Sequence, residues 1–147
     1  MFENILVVCM GNICRSPVGE KLLQYYFPEK KIISAGIVVE ESGLVGKTAD
    51  PKMIQIAKQS NLDISSHLAQ QVTTIHCNQA ELILVMDKGQ IELVHQLCPA
   101  SIGKVMLFGH WLIPQLEIPD PYKKDISIYD SVYKKLELAA YHWKQKL

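Results

Sequence analysis

The segment Cys9-Met10-Gly11-Asn12-Ile13-Cys14-Arg15-Ser16-Pro17 places a thiol and a guanidinium six positions apart, between the short apolar run Ile5-Leu6-Val7-Val8 and a helix start. A branched apolar run of that length reads as a strand buried on both faces of a parallel sheet. Ser16-Pro17 opens a helix, because proline in the first turn gives up an N–H that has no intrahelical partner. The loop from Met10 to Arg15 can then turn its N–H groups inward. An oxyanion held there meets those donors, the positive helix end and Arg15 together. The same surroundings favour the thiolate of Cys9. A phosphate ester in this cradle has its three non-bridging oxygens held by N–H groups and the Arg15 fork, with phosphorus facing the sulfur, so attack gives a phosphocysteine. The Ser16 hydroxyl is placed to donate to the thiolate, Asn12 to fix the loop by side-chain bonds to neighbouring backbone, and Gly11 to supply a geometry that a Cβ would resist. Cys14 carries two readings: a structural thiol, or the partner in a reversible disulfide that protects Cys9 from over-oxidation.

Such a reaction needs an acid that protonates the leaving oxygen and later takes a proton from water. Ile118-Pro119-Asp120-Pro121-Tyr122 offers one: two prolines flanking an aspartate make a stiff loop that holds a carboxyl group over a pocket with little entropy to lose. Alone, the segment would be an ordinary proline turn. Together with the cradle, it makes Asp120 the expected general acid and Tyr122 an aromatic wall at the entrance.

Cys9 to Pro17, Ser34-Ala35-Gly36, Ala49-Asp50-Pro51, Val85-Met86-Asp87 and Asp120-Pro121-Tyr122 resemble the low-molecular-weight protein tyrosine phosphatases over nearly the whole chain. Gly103 to Trp111 and Met1 to Val8 are similar to the bacterial branch serving capsule and exopolysaccharide systems. The resemblance implies a protein-tyrosine-phosphatase with Cys9 as nucleophile, Arg15 as phosphate clamp and Asp120 as general acid. It also implies a phosphotyrosine protein substrate, in that branch a membrane tyrosine autokinase. Two departures bear on substrate choice. Ser66 to Gln71 has leucine and two glutamines where relatives often carry a basic residue, and Ile37 to Gly46, which by resemblance forms a pocket wall beginning at Ile37, is longer than its usual counterpart and holds Glu40 and Glu41.

The chain has 147 residues, enough for one core and one domain, with 15 basic and 15 acidic side chains in balance. No basic run exceeds Lys30-Lys31 or Lys123-Lys124, which argues against nucleic-acid binding. Glu3 and the short apolar run before Cys9 fit neither an export signal nor membrane insertion, so a cytoplasmic location is expected. Four cysteines without an export signal or a Cys-x2-Cys pair argue against disulfides and a metal site, and Cys77 and Cys98 read as buried apolar fillers. No cofactor or metal is required, since N–H groups and Arg15 meet the phosphate charge. An exposed Tyr122 region offers a surface for weak self-association.

The elements that position these groups alternate. Strands are expected at Ile5–Val8, Lys31–Ala35, Leu82–Met86 and Lys104–Phe108. Helices are expected over Pro17–Phe27, after the Asp50-Pro51 cap with Met53, Ile56 and Ala57 on one face, through Ile91, Val94 and Cys98, and over Ile126–Lys146. Tyr129, Val132, Tyr133, Leu136, Ala140 and Trp143 form the last helix's core stripe. The expected fold is a single α/β domain: a four-stranded parallel sheet, helices on both faces, and a phosphate-binding loop after the first strand, where such sheets bind ligands. Asp87 reads as an ordinary helix cap, ahead of the alternative that it borders the site, and His67 as a residue capping or orienting a loop near it, while Gly36–Gly46 is the expected flexible loop. Two rivals remain: an arsenate reductase-like thiol enzyme on the same fold, which needs further relay cysteines, and a non-catalytic phosphotyrosine-binding module, which would lack the nucleophile or the acid.

Overall fold

A computed structural model describes residues 2–147. Its four strands, β1 (Asn4–Cys9), β2 (Lys31–Gly36), β3 (Leu82–Val85) and β4 (Val105–Leu107), form one parallel sheet in the order β2-β1-β3-β4. β1 is central and buried on both faces, as its unbroken apolar run requires. Its register against β2 pairs Ile5 with Ile32 and ends with Cys9 opposite Gly36. Because β1 crosses to β2 on one side and its other neighbour is β3, the strand order reverses between β1 and β3. That crevice is where open α/β sheets accept ligands, and Cys9 stands at its edge.

The five helices divide between the faces. α1 (Arg15–Tyr26), α2 (Pro51–Gln59) and α5 (Ile126–Lys144) pack with Ile5, Val7, Leu82 and Leu84. α3 (Thr74–Gln79) and α4 (Lys88–Leu97) pack with Leu6, Val8, Ile83 and Val85. All six expected core residues of α5 are buried, and Trp143 Nε1 donates to the Phe108 carbonyl at 2.7 Å, pinning α5 beside the end of β4. Gly36 is a close-approach position: a Cβ there would lie 2.7 Å from the Met10 carbonyl oxygen and 2.9 Å from the Asn12 nitrogen, so β2 can lie against the loop that follows β1 only without a side chain.

Three expectations are corrected. α1 begins at Arg15 rather than Pro17, with Pro17 still inside the first turn, where its missing N–H costs nothing. α3 was not anticipated: its six residues, two of them β-branched, are too few for a helical period, and its capping box runs from Thr73 to a histidine, His76, instead of the usual Glu or Gln. Cys77 and Cys98 are not separate fillers but a disulfide pair, because α3 and the end of α4 lie side by side on one face and bring positions 21 residues apart to a Cα separation of 6.5 Å. The Gly36–Gly46 segment is held by backbone bonds within itself, Ser42 N–H to Val38 O and Leu44 N–H to Val39 O, and by Gly46 N–H to Ala69 O outside it. Gly43 and Gly46 supply its left-handed turns.

Candidate active site

The chain leaves β1 at Cys9, turns through Met10 to Cys14 and enters α1 at Arg15. Cys14 occupies the N-cap without a side-chain cap bond, and the first turn of α1 has no acidic residue. The helix N-terminal N–H groups are therefore left for an anion. Cys9, Met10, Gly11, Ile13, Cys14 and Arg15 line one cleft together with Val38, Ser42, Leu44, Asp120 and Tyr122. Asn12 and Ser16, fully buried, lie beneath it.

Asn12 organises the floor. It sits in the left-handed region at φ 55°, so the positive φ of this loop belongs to Asn12 and not to Gly11, whose added Cβ would instead press on Leu44 at 3.1 Å. Its side chain reaches past its neighbours, contrary to the expected local bonds. Nδ2 donates to Ser16 Oγ at 2.8 Å and to Ser34 Oγ at 3.0 Å, and Oδ1 accepts the Gln70 N–H at 2.9 Å. Proton accounting then fixes a direction. Ser34 donates its only hydroxyl proton to Glu20 Oε1 at 2.7 Å. Ser16 accepts from Asn12, and its own proton is free for Cys9 Sγ at 2.9 Å, while the Asn12 N–H reaches the same sulfur at 3.3 Å. Two donors thus converge on one sulfur. Burial, then the charge of Cys9, push the Cys14 thiol far up, so it keeps its proton.

Arg15 is buried in the cleft wall. Its Nη1 donates to the Ile118 carbonyl at 2.9 Å and lies 3.9 Å from Asp87 Oδ2, while Nη2 lies 3.8 Å from Asp120 Oδ2. Nε has no partner among the described residues, a buried donor left for an incoming oxyanion. Asp87 serves as the N-cap of α4, accepting the Gln90 N–H at 2.9 Å, and also borders Arg15. Asp120 keeps about half of its side chain in solvent. The arrangement sets a thiol with donors behind it, a buried guanidinium and a carboxyl group facing them across the cleft. Among the described residues, no cluster of three or more His, Cys, Asp or Glu is placed to hold a metal, and no helix is long and apolar enough to cross a membrane.

Ile37 is not in the pocket. Its N–H donates to the Cys9 carbonyl at 3.0 Å, and the strand alternation carried on from β2 turns its side chain into the core with Leu6 and Val8. Val38, Ser42 and Leu44 make the wall instead. Three supports of Asn12 carried no role in the sequence: Ser34 and Gln70, 22 and 58 residues away, bond it directly, and Glu20 holds Ser34 from behind. Ser34-Ala35-Gly36 did carry a signal, a small polar residue next to the glycine that abuts the loop. Gln70 and Gln71 anchor the wall: Gln70 Nε2 donates to Ser34 O, and Gln71 Nε2 to Ile37 O while its Oε1 accepts the Glu40 N–H. A disulfide relay from the cleft finds no support, since Cys77 and Cys98 are buried in the α3–α4 core.

The family model for low molecular weight phosphotyrosine protein phosphatase matches residues 4–147. Low molecular weight protein-tyrosine-phosphatase Wzb of Escherichia coli strain K12 is 49% identical over 147 residues, covering all of this chain and 97% of that protein. The structure of Vibrio vulnificus Wzb in complex with benzylphosphonate superposes with a TM-score of 0.97 at 48% identity, covering both chains fully. Wzb from Escherichia coli K30 in complex with sulphate gives 0.93 at 45% identity, covering 99% of each chain.

His67 supplies a pH-sensitive tie to this floor. Its Nε2 lies 2.6 Å from the Asn12 carbonyl oxygen, which can only accept, so Nε2 carries the proton in the neutral ring. Burial lowers its pKa below the ordinary histidine value, outweighing that bond. A folded pKa below the unfolded one means stability is complete above the unfolded value and is lost as pH falls through it towards the folded one. Between about pH 7.5 and 5.5 the urea midpoint of the wild-type protein should therefore drop more than that of His67→Gln. His76 shifts in the same direction and is common to both proteins. Equal pH slopes in the two would contradict this role for His67.

Proposed function

This chain belongs to the low molecular weight phosphotyrosine protein phosphatase family and is a protein-tyrosine-phosphatase; from that premise we propose that it works through a phosphocysteine formed at Cys9. The observation that carries the reading is the Ser16 proton aimed at the Cys9 sulfur from 2.9 Å, in a loop whose helix N-terminus is uncapped.

The phosphoryl group enters with its non-bridging oxygens on the loop N–H groups and on the Arg15 Nε edge. A sulfur lone pair forms the S–P bond as the ester O–P bond breaks, and Asp120 gives its proton to the departing phenolate oxygen. Water then attacks phosphorus, Asp120 takes its proton, and the S–P bond breaks to return a thiolate that Ser16 and the Asn12 N–H stabilise. Val38, Leu44 and Tyr122 offer the substrate ring apolar walls. A cleft closed below by Asn12 and Ser16 selects tyrosine, whose ring carries phosphate farther from the backbone than serine or threonine can.

We place the substrate among membrane tyrosine autokinases of capsule and exopolysaccharide export, which the likeness to the branch containing Wzb supports. The reaction belongs in the cytoplasm, where reductants keep a nucleophilic thiol reduced, while Cys77 and Cys98 are shielded by burial. Cys14 is the resolving residue after oxidation by peroxide. A Cys9 sulfenic acid condenses with the Cys14 thiol, forming the S–S bond and releasing water, and a thiol reductant restores both.

With chelator and reductant present, the wild-type protein should release phosphate from a phosphotyrosine peptide and Cys9→Ser should not. An active Cys9→Ser protein, or loss of wild-type turnover on adding chelator, would contradict the mechanism. After a peroxide pulse, wild-type activity should return on adding a thiol reductant, whereas Cys14→Ser should remain largely inactive. Full recovery of Cys14→Ser would remove Cys14 from the redox role.

A further inference from the structure

Asp120 rides on a loop tied unequally at its two ends. Upstream, the Ile118 N–H donates to Met86 O at 2.8 Å, and the Ile118 carbonyl accepts Arg15 Nη1 at 2.9 Å. Downstream, Lys124 N–H turns back to Pro121 O within the loop, Lys123 takes a left-handed φ of 61°, and Asp125, at the N-cap of α5, makes no side-chain cap bond. A non-glycine residue in that region persists only where its surroundings hold it. The side-chain bond that holds this end comes from another element: Lys52 Nζ donates to the Lys124 carbonyl at 2.9 Å.

Lys52 is itself located by a chain of contacts. Its ammonium lies 5.5 Å from the centre of the Tyr129 ring, within cation–π range. The Tyr129 hydroxyl donates to Asp50 Oδ2 at 2.6 Å, Asp50 Oδ1 accepts the Lys52 N–H at 2.9 Å, and the Asp50 N–H donates to the Ile13 carbonyl in the phosphate loop at 2.7 Å. The first turn of α2 thus joins the loop that holds phosphate to the loop that carries the acid. A cation in a helix's first turn opposes the helix dipole, so Lys52 does not serve α2 itself.

We infer that Lys52 is a positioning residue for Asp120: its ammonium, seated on Tyr129, fixes the downstream end of the acid loop over the thiolate. The inference rests on the acid role proposed for Asp120, and the test separates the two. kcat/KM would be measured for aryl phosphates of graded leaving-group pKa in wild type, Asp120→Asn, Lys52→Met and Lys52→Arg. A positioned acid makes wild type nearly insensitive to the leaving group, and Asp120→Asn should fall most on the most basic one. Lys52→Met should lose about three- to tenfold on phenyl phosphate and less than about twofold on p-nitrophenyl phosphate. Its inhibition by inorganic phosphate should match wild type, and Lys52→Arg, which keeps a cationic donor, should recover most of the loss. If Asp120→Asn shows no leaving-group dependence beyond wild type, the acid assignment fails. If that dependence is present and Lys52→Met either matches wild type throughout or falls equally on every substrate, the role of Lys52 is overturned.

Discussion

One buried amide, that of Asn12, sets the geometry on which the rest of the site depends. A loop that presents backbone N–H groups to an anion must leave them unpaired inside the fold, so nothing in regular secondary structure can hold it. Asn12 supplies the missing hold from below. Its left-handed backbone turns the chain, its two amide protons go to Ser16 and Ser34, and its oxygen and carbonyl take bonds from Gln70 and His67. Because every proton in this set is assigned, Ser16 is left with one direction to donate, towards Cys9. Removing any member strands a buried polar group as well as misaiming the sulfur, which costs more than the bond alone.

The sheet brings the remaining groups to that floor. The strand order reverses between β1 and β3, so Cys9 and Asp87 emerge side by side at the carboxyl ends. Arg15 follows within one turn of helix, and Ile118 meets it from the segment after β4. Gly36 lets β2 lie against the loop, and Gln70 and Gln71 extend the same edge to brace the wall from Val38 to Leu44. Asp120 comes from the least embedded part of this assembly. That suits the acid role proposed for it, in which it would meet solvent water in one half-reaction and the leaving group in the other.

The chemistry was legible because it lies in residue types at short spacing. Cys9, Arg15 and the aspartate between two prolines need no tertiary information to be noticed. The strands were equally plain as apolar runs, and the stripe of α5 followed from its period. Ile37 was misplaced because a strand's side chains alternate, so a shift of one residue exchanges wall for core. Ser34, Glu20, Gln70 and Lys52 escaped because their roles exist only after distant segments meet. The Cys77–Cys98 pair escaped for the same reason, and α3 was too short to show a period.

The phosphocysteine is the step that separates this account from direct attack by water. The decisive measurement mixes the wild-type protein with a phosphotyrosine peptide, quenches with acid within one turnover, and maps the digested protein by mass spectrometry. The account predicts phosphate on the fragment containing Cys9, formed as the peptide loses it and absent from Cys9→Ser. Dephosphorylated peptide with no phosphate on that fragment at any time within the turnover would contradict it.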